Sequence, residues 1–326
     1  MDTLKVAVLI PCLNEENTIG NVVESFKQYM PSSDIYVFDN NSSDKTLEIA
    51  RLKGAIVKTE NKQGKGAVVR RMFSDVEADV YVLVDGDYTY DSSVSLEMVN
   101  YLVEHDLDML IGSRVASTDD VYRRGHRFGN YILTGLVRLF FGSKLTDTLS
   151  GYKLFSRRYV KTFPAKSNGF EIETELTVHA LEMNLPIDEI PTEYTSRPTD
   201  SVSKLSTYKD GIKIFLTIIK LLFAVKPVFS YLFLSLFFLL FSLIVGWVQV
   251  LEPWLEFDEI TKISSVVLAA SLMLVSVLCL FSGIILNSVS RVRKDNFRLS
   301  YLSFAHNLNL KKNQSAPFPA KEMNNR

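Results

Sequence analysis

Val80-Tyr-Val-Leu-Val-Asp-Gly-Asp87 is an apolar run that ends in two carboxylates separated by one glycine. The apolar residues predict a buried strand, Val80–Asp85, because uncharged β-branched runs are typical of strands covered on both faces. Two carboxylates this close repel each other unless a cation or hydrogen-bond donors compensate. Oxygen ligands suit Mg²⁺ and Mn²⁺, so Asp85 and Asp87 are predicted to hold such a cation and bridge it to a diphosphate. An isolated Asp-x-Asp is common by chance, so this interpretation depends on the elements around it.

Segments that alternate between apolar and amphipathic patterns lie on both sides of this run. They predict strands and helices at Lys5–Pro11 (strand), from a capping Asn14 onward (helix), Ile35–Asp39 (strand), Asp44–Lys53 (helix), Ala55–Thr59 (strand), about Lys65–Asp75 (helix) and Met109–Gly112 (strand). This alternation predicts an α/β fold with a mainly parallel sheet covered on both faces. Such sheets bind ligands at the carboxyl ends of their strands, where the polar residues of this chain cluster into one predicted pocket.

The composition limits the class of protein. At 326 residues the chain has room for one large domain with an appendage or for two ordinary domains, and its formal net charge of -1 provides no basic field for nucleic acid. Cys12 and Cys279 have no metal-site spacing, so neither a disulfide framework nor a zinc site is predicted. The first residues lead directly into a strand, which predicts no signal peptide and a cytoplasmic location for residues 1–225.

Two long uncharged segments follow the part of mixed charge, at 228–251 and 263–290. A helix needs about 20 residues to cross a bilayer, so the segments predict two transmembrane helices, about 228–251 and 263–286. A buried helical hairpin in a soluble core is the alternative. The outer flanks are basic, whereas the connection carries Glu252, Glu256, Asp258 and Glu259. This asymmetry predicts an integral membrane protein with the soluble part and both termini in the cytoplasm.

A basic and apolar segment joins the soluble part to the first span. Lys209, Lys213 and Lys220 recur there at near-helical spacing among bulky apolar residues. The pattern favours an amphipathic helix on an anionic membrane surface, and packing against the soluble domain is an alternative that is compatible with it. We therefore predict four parts, which are a domain at 1–203, a juxtamembrane helix region at 204–226, two spans within 227–290 and a basic, partly disordered tail at 291–326.

Four short motifs occur along the soluble part: Ile10-Pro-Cys-Leu-Asn-Glu-Glu16, Asp39-Asn-Asn-Ser-Ser-Asp44, Gly64-Lys-Gly-Ala67 and Asp85-Gly-Asp87. Their order and spacing resemble those of family-2 inverting glycosyltransferases. The closer likeness is to the polyprenyl-phosphate branch of dolichyl-phosphate mannose and glucose synthases and bactoprenol glucosyltransferases. It covers residues 4–225 in detail, and the two spans match the layout of the bactoprenol enzymes. The resemblance implies a GT-A type nucleotide-sugar-binding domain with Mg²⁺ or Mn²⁺ as cofactor.

The resemblance also assigns residues to the nucleotide side. It implies a nucleoside site lined by Pro11, Leu13 and Glu15. Asp39 contacts the nucleobase in this assignment, with Gly64 and Lys65 beside the base. Ribose and metal contacts come from Asp85, Gly86 and Asp87. Asp87 is the principal metal ligand in this assignment. Two places depart from the family pattern: Asn40 and Asn41 follow Asp39 where the family usually has Asp-Gly, and Thr89 stands where mannose synthases often have a Gln metal ligand.

Arginines are concentrated after the fifth predicted strand, at 114, 123, 124 and 127. On an ordinary surface helix such residues are solvated. Arginine binds phosphate oxygens bidentately and does not lose its proton, which suits a site for a nucleotide-sugar and a lipid phosphate. The resemblance implies phosphate contacts from Arg114 and Arg127 in the catalytic site and additional acceptor contacts from Arg123 and Arg124.

Asp147, in Thr146-Asp-Thr-Leu-Ser-Gly-Tyr-Lys153, stands where the family has its catalytic base. A phosphomonoester has a second pKa of about 6, so a lipid phosphate is already largely ionised near neutral pH. Asp147 therefore either takes up the last proton or positions the acceptor or the sugar, and a turn-capping Asp is the alternative. The same resemblance implies that Glu171 or Glu173 binds sugar hydroxyls or supports the acceptor site.

The segment with Arg197, Ser203 and Lys204 resembles the family loop that closes over the donor diphosphate and the acceptor phosphate. Contacts with lipid headgroups are its alternative. The implied reaction is inverting transfer from a UDP- or GDP-hexose to undecaprenyl or dolichyl phosphate, for cell-envelope or glycoprotein glycans. The sugar stays open among UDP-glucose, UDP-N-acetylglucosamine and GDP-mannose, and a homo-oligomer is compatible with the sequence. Two other functions remain: a family-2 transferase for another lipid or glycan acceptor, and an inactive membrane partner that retains the fold.

Overall fold

The computed structural model describes residues 4–116, 126–142, 144–198, 207–257 and 263–304. The chain forms two units, of which the first is Met1–Ile218 with Arg298–Arg326 and the second is Ile219–Phe297. Among the predicted acceptor residues, Arg123, Arg124, Ser203 and Lys204 lie outside the described residues. The part of the predicted tail from residue 305 onward also lies outside them.

One sheet of seven strands forms the centre of the described part of the first unit. Its strands are β1 (Val6–Cys12), β2 (Asp34–Asp39), β3 (Ile56–Thr59), β4 (Val80–Leu83), β5 (Met109–Ala116), β6 (Lys153–Ser156) and β7 (Ile187–Tyr194). They lie in the order β3-β2-β1-β4-β6-β5-β7, and β6 alone among them runs antiparallel to its neighbours. The predicted mainly parallel sheet is confirmed, although β6 and β7 were not predicted.

Helices connect the strands and cover the sheet. In the first unit they are α1 (Ile19–Tyr29), α2 (Thr46–Leu52), α3 (Lys65–Asp75), α4 (Ser95–Glu104), α5 (His126–Phe141), α6 (Arg157–Thr162) and α7 (Ile172–Met183). The next helix, α8 (Thr207–Val225), begins in the first unit and ends in the second. Helices α1 and α4 pack on one face of the sheet, and α3, α6 and α7 pack on the other. Successive residues of β1 face opposite sides, so Ala7 and Leu9 join one core while Val8 and Ile10 join the other.

The predicted helix start at Asn14 is wrong, because α1 begins at Ile19. Asn14 has a left-handed backbone with a φ of 51° and lies in the loop after β1. Its main-chain N–H donates to Ser42 Oγ at 2.8 Å, and its Oδ1 accepts from the N–H of Ser43 at 2.8 Å. The side-chain oxygen that an N-cap would direct to its own helix therefore binds the loop after β2 instead. This contact holds the carboxyl ends of β1 and β2 together.

A buried carboxylate, Asp108, lies just before β5 and is fully enclosed. Arg158 donates to its two oxygens at 2.6 and 3.1 Å, Ser156 Oγ donates at 2.6 Å, and the hydroxyl of Tyr301 donates at 2.6 Å. A buried charge is strongly destabilising unless it is paired and hydrogen-bonded, and here both conditions are met. Tyr301, which follows the second long apolar segment in the sequence, thus completes the polar interior of the first unit.

The second unit consists of long apolar helices. They are α9 (Pro227–Gly246), a π-helical segment (Trp247–Leu251), α10 (Glu252–Phe257) and α11 (Ile263–Ser303). Within the described residues two stretches, Pro227–Glu256 and Ile263–Ser303, are long and apolar enough to cross a membrane, with mean hydropathies of 2.6 and 2.5 over an 18-residue window of each. Helix α11 continues past residue 286, where the second span was predicted to end, so the basic residues from Arg291 to Arg298 are helical.

Small polar residues line the contact between α9 and α11. Ser276 Oγ donates to the main-chain oxygen of Ser235 at 2.9 Å, and Ser242 Oγ donates to the main-chain oxygen of Ala269 at 2.7 Å. The large apolar side chains face outward, as Phe233 does with 70% of its surface exposed. Small residues inside and large apolar residues outside are the arrangement that helices adopt when they pack within lipid.

The close approach of α9 and α11 leads to a prediction about two glycines. A Cβ at Gly283 would meet Cβ of Tyr231 at 2.8 Å, whereas a Cβ at Gly246 would meet its nearest neighbour, Cβ of Ala269, only at 3.9 Å. We expect Gly283→Ala to destabilise the helix pair by about 1–3 kcal/mol through overpacking. Gly246→Ala is the matched control and is expected to be neutral or slightly stabilising. Melting temperatures of the two variants in the same detergent measure the difference, and equal values would contradict the described packing.

Candidate active site

A cavity of about 450 Å³ opens where β1, β2 and β4 end. Many of the residues predicted for the site line it: Pro11, Leu13, Glu15, Gly64, Lys65, Asp85, Gly86, Asp87, Glu171 and Arg197. Other lining residues carried no signal in the sequence, notably Gln63 and Asn168. The sheet edge therefore brings together motifs that are separated by more than 180 positions, from Pro11 to Arg197.

Asp39 and Asn40 lie at the end of β2, where Asn40 lines the cavity and Asp39 does not. Asp39 is almost fully buried, and its carboxylate accepts from the main-chain N–H of Ser42 at 3.1 and 3.3 Å. Asn40, where the family has a second Asp, donates to the main-chain oxygens of Glu60 and Lys62 at 2.9 Å and accepts from the N–H of Gly64 at 2.6 Å. The amide group of Asn40 thus holds the 60–64 loop against the sheet, a contact that a carboxylate cannot make in full because it has no donor.

The loop at 165–169 forms the opposite wall. Gly66 N–H donates to the main-chain oxygen of Asn168 at 2.9 Å, which fastens the loop to the first turn of α3. Arg70 donates to Ala165 O at 2.9 Å and to Ser167 O at 3.1 Å. The buried carboxylate of Glu175 accepts from the N–H of Ser167 at 2.7 Å. This wall is therefore held from both α3 and α7 and presents Asn168 and Phe170 to the cavity.

Lys65 lies between two carboxylates at the inner end of the cavity. Its ammonium donates to Asp85 Oδ1 at 2.5 Å and to Glu173 Oε1, and only 7% of the side chain is exposed. Burial by itself would lower the pKa of Lys65, but the two carboxylates raise it above the ordinary value. Lys65 thus stays charged. Its ammonium joins Asp85 to Glu173, which does not itself line the cavity.

Gly151, in the motif that carries Asp147, allows Asp85 to approach. A Cβ at Gly151 would overlap the carboxylate of Asp85. The main-chain N–H of Gly151 donates to the hydroxyl of Tyr90 at 2.7 Å. The Thr146–Lys153 segment is therefore packed directly against the loop that carries both Asp85 and Asp87.

Asp87 is buried, and its side chain is 4% exposed. Arg197 forms an ion pair with its Oδ2, while Thr89 Oγ1 donates to its Oδ1 at 2.6 Å. Burial raises the pKa of Asp87, the negative charge of Asp85 raises it further, and Arg197 acts in the opposite direction. The environment of Asp87 thus favours additional positive charge. Thr89, where mannose synthases often have Gln, orients Asp87 through its hydroxyl.

Arg197 reaches Asp87 because two loops are paired. Thr195 N–H donates to the main-chain oxygen of Thr89 at 2.9 Å, and Tyr90 forms an antiparallel bridge with Tyr194. These contacts hold the residues after β7 against the residues after β4. The backbone thereby brings a guanidinium from a distant part of the sequence to the second carboxylate of the Asp-Gly-Asp motif.

The carboxylate pair is compatible with a cation that is shared with a substrate. No group of three or more His, Cys, Asp or Glu side chains in the described ranges is arranged to hold a metal ion. Mg²⁺ often binds through one or two carboxylates with the remaining positions filled by substrate phosphates and water. Asp85 and Asp87 line the cavity together and carry the oxygen atoms that such a cation needs.

Asp147 and Arg114 form a second, separate ion pair. Arg114 Nε donates to Asp147 Oδ2 at 2.6 Å, Nη2 donates to Oδ1 at 2.8 Å, and Asn130 of α5 donates to Oδ1 at 3.3 Å. Burial by itself would raise the pKa of Asp147, but the guanidinium lowers it below its ordinary value. The carboxylate is therefore ionised and occupied by donors, which is a poor arrangement for taking up a proton.

The remaining predicted residues are distributed as follows. Glu171 lies at the cavity and accepts from the N–H of Gly169 at 3.1 Å, just before α7 begins. Arg127 lies within α5, and its side chain is outside the description. Neither Arg114 nor Asp147 lines the cavity. The described site thus has a nucleotide-sized cavity with two carboxylates and an adjoining Arg114–Asp147 pair.

Residues 7–163 match the sequence profile described as Glycosyl transferase family 2. Glycosyltransferase AglJ of Haloferax volcanii is 32% identical over 228 residues, which are 69% of this chain and 75% of that protein. The chain belongs to glycosyl transferase family 2. Its Asp85-Gly-Asp87 motif, its sheet edge and its cavity thus lie in a family-2 domain, as the order of motifs predicted.

Two further likenesses are to another transferase and to a solved structure. The dolichyl-phosphate hexose transferase of Haloferax volcanii is 26% identical over 215 residues, which are 66% of this chain and 92% of that protein. The solved structure of glucosyl-3-phosphoglycerate synthase from Mycobacterium tuberculosis with Mn²⁺, UDP-glucose and phosphoglyceric acid has a TM-score of 0.54 and 19% identity, covering 67% of this chain and 79% of that one. The structural likeness shows a GT-A-like fold, which confirms the predicted fold class.

Proposed function

We propose that this family-2 chain transfers a hexose, with inversion, from a UDP- or GDP-sugar to a polyprenyl phosphate at the cytoplasmic surface of a membrane. The observation that carries the proposal is the pair Asp85 and Asp87 in the wall of a cavity of about 450 Å³. A volume in the range of roughly 300–1,000 Å³ suits a small-molecule or cofactor site. A cation would meet the carboxylates of Asp85 and Asp87, and the diphosphate of a nucleotide would meet the cation and the basic side chains of the same wall.

Three observations support a lipid phosphate as the acceptor. A dolichyl-phosphate hexose transferase is among the relatives, and two helices have the length and composition of membrane spans. Arg114 binds Asp147 through Nε and Nη2, and Nη1 has no acceptor among the residues that the structure describes. That group is available to an anionic oxygen, and arginine is well suited to binding phosphate. The basic flanks of the two spans favour a cytoplasmic catalytic domain and cytoplasmic termini.

The chemistry that we propose is one in-line displacement. An ionised oxygen of the lipid phosphate attacks the anomeric carbon, the bond to the nucleoside diphosphate breaks, and its electron pair leaves with the diphosphate. No proton has to move, because the attacking oxygen is already deprotonated near neutral pH. Lys65 and Arg197 stabilise the charge of the donor and leaving group, and Arg114 orients the acceptor phosphate. A Mg²⁺ or Mn²⁺ held by Asp85 and Asp87 would supply Lewis-acid stabilisation of the diphosphate.

Asp147 acts on the acceptor through Arg114 in this proposal. Its carboxylate fixes the guanidinium by two hydrogen bonds, both shorter than 3 Å. A residue that holds a phosphate-binding arginine in one orientation contributes to catalysis without exchanging a proton. Of the two roles that the sequence left for Asp147, the geometry favours positioning.

The test is transfer by the full chain in lipid nanodiscs. Purified protein with Mn²⁺ and polyprenyl phosphate is incubated in turn with labelled UDP-glucose, UDP-N-acetylglucosamine and GDP-mannose, and the lipid is extracted. We expect one donor to label polyprenyl phosphate and the anomeric proton of the product to show a β linkage. No labelled polyprenyl phosphate with any donor would overturn the proposal. Label in diacylglycerol or a glycan instead would identify another family-2 acceptor.

The ion pair between Arg197 and Asp87 predicts how a substitution of Arg197 changes the affinity for Mn²⁺. Because its guanidinium pairs with Asp87, it opposes a free cation at the same carboxylate. We expect Arg197→Gln to bind Mn²⁺ in the absence of nucleotide about tenfold more tightly, a difference of about 1.4 kcal/mol, and to bind the nucleotide-sugar more weakly. Arg71→Gln, which removes an exposed pair with Asp75, is the matched control. Electron paramagnetic resonance titration measures free Mn²⁺, and unchanged affinity would contradict the competition.

A further inference from the structure

Lys153, the first residue of β6, has a completely buried side chain. Its ammonium donates to the main-chain oxygens of Thr148 and Glu173, both at 3.0 Å. Lys153 does not line the cavity and makes no ion pair within 4.0 Å in the described parts of the chain. A buried lysine is strongly destabilising without compensation, so a chain retains one where its hydrogen bonds serve a purpose.

The two carbonyls that Lys153 joins belong to the two halves of the site. Thr148 directly follows Asp147, which binds Arg114. Glu173 is in the first turn of α7, and its side chain binds Lys65, which in turn binds Asp85. The hydroxyl of Thr177 lies 3.2 Å from Thr148 O and 3.1 Å from Glu173 O, but it has one proton and donates to one of them at a time. The ammonium of Lys153 has enough protons for both.

We propose that Lys153 is a positioning residue, whose ammonium sets the Asp147–Arg114 pair at a fixed separation from the Glu173–Lys65–Asp85 group. The role deepens the proposed function, because it concerns the alignment of the acceptor side with the donor side of the same site. A charged donor binds a carbonyl about twice as strongly as a neutral one, so the ammonium fastens this junction more firmly than a neutral amine does. Lys153 acts through main-chain atoms and touches no substrate.

Burial and the charged groups around Lys153 set its pKa. Burial lowers its pKa most strongly, Glu173 of α7 and Asp147 of the adjoining loop raise it, and Lys65 of α3 and Arg114 of β5 lower it. The result is a pKa of about 8 in place of 10.5. By contrast Lys65 and Arg114 have pKa values raised above their ordinary ranges, so they stay charged in this interval. Positioning by Lys153 is therefore complete only well below pH 8, is half lost near pH 8 and weakens further above it.

The test compares Lys153→Met with Lys161→Met. Lys161 is the control, because its side chain is 12% exposed and its ammonium also donates to two main-chain oxygens at 3.0 Å, those of Phe73 and Val76, away from the cavity. Unlike Lys153, it also pairs with the exposed Glu77 at 2.7 Å. We expect Lys153→Met to lower kcat by about 10²-fold with the donor KM unchanged, since a displacement of about 1 Å has this effect. Lys161→Met is expected to lower the melting temperature while its kcat stays near that of the wild type.

A pH profile of the unmodified chain supplies a readout that needs no variant. With Mg²⁺ as the cation, we expect wild-type kcat to fall through a midpoint near pH 8. Lys153→Met should show no such alkaline decline, whereas Lys161→Met should retain it. A wild-type profile that is flat up to pH 10, or a decline that persists in Lys153→Met, would overturn the positioning role.

Hydrogen–deuterium exchange separates this inference from the proposed function, because it needs no acceptor. Peptides covering 146–150 and 171–175 should exchange about tenfold faster in Lys153→Met and at the wild-type rate in Lys161→Met, as expected when a local contact opens by about 1.4 kcal/mol. Unchanged exchange would overturn the positioning role whatever the acceptor is. If exchange is faster in Lys153→Met but the chain glycosylates no polyprenyl phosphate, the positioning role of Lys153 is supported. Only the proposed acceptor is then contradicted.

Discussion

Asp87→Ala is expected to lower sugar transfer by about 10²- to 10³-fold and to abolish cation-dependent binding of the nucleotide-sugar, because in the proposed site the change removes a buried ligand of the cation that stabilises the leaving diphosphate. Asp87 accepts from the main-chain N–H and the hydroxyl of Thr89 and from Arg197, so its carboxylate is held in a single orientation. Without the carboxylate, Asp85 remains the one carboxyl group of the motif and is already bound to Lys65. Titration calorimetry of the donor with and without Mn²⁺ measures the binding, and single-turnover transfer measures the rate.

The control for this change lies in the same loop. Asp91 caps a turn by accepting from the N–H and the hydroxyl of Ser93, both at 2.8 Å, and does not line the cavity. Asp91→Asn is therefore expected to keep cation-dependent donor binding and transfer close to the wild-type level. Donor binding that responds to Mn²⁺ equally well in Asp87→Ala and in the wild type would exclude Asp87 as a cation ligand.

Asp147→Asn is expected to slow transfer by about 10²-fold while donor affinity stays unchanged, because a misaligned phosphate-binding group affects the reacting geometry and not the nucleotide. Asparagine keeps the shape of Asp147 but removes the charge that balances the buried guanidinium of Arg114. It also turns an amide N–H₂ group toward one of the arginine N–H groups. The rate at saturating donor and acceptor, together with the donor Kd, measures the two parts of the prediction.

A double-mutant cycle with Arg114→Lys distinguishes positioning from proton transfer. If Asp147 acts by holding Arg114, each change alone breaks the same pair, and the double variant is no slower than the slower single variant. The pKa of Asp147 is held below its ordinary value of 3.8, so the carboxylate stays ionised throughout the assay range and its pairing is lost only as the pH falls below that value. Additive losses in the double variant would assign Asp147 the role of a base. So would a transfer rate that falls as the pH drops below neutral in the wild type but not in Asp147→Asn.

Elements whose signal is local were predictable. The helix Lys65–Asp75 has the predicted bounds, since Gly64 ends the preceding loop and an amphipathic pattern follows it. The position of the Asp-Gly-Asp motif at the cavity was predictable for a similar reason, because two carboxylates at the end of a buried strand repel each other and so indicate a binding site, whereas the cation itself stays a prediction. The alternation of predicted strands and helices along the chain then indicated that the polar residues meet at the carboxyl edge of the sheet.

Features that depend on distant partners were not predictable. The strand Lys153–Ser156 begins with a charged residue and ends with a hydroxyl, so nothing in its composition indicates a strand buried between two others. Asn14 has the residue type and the following acids of a helix cap, yet Ser42 and Ser43 compete for it from the next loop. Asn168 belongs to no motif and reaches the cavity because Arg70 and Glu175 anchor its loop.

The return of α11 to Asp108 has a consequence for how the chain can be divided. The unit Ile219–Phe297 is an insertion within the other unit, whose sequence resumes at Arg298. A soluble fragment that simply stops at residue 218 would leave Arg158 and Ser156 as the remaining partners of a buried carboxylate and would discard the Tyr301 hydroxyl. A fragment that keeps every partner of Asp108 is therefore discontinuous, with residues up to Ile218 joined to the segment from Arg298 to Phe304.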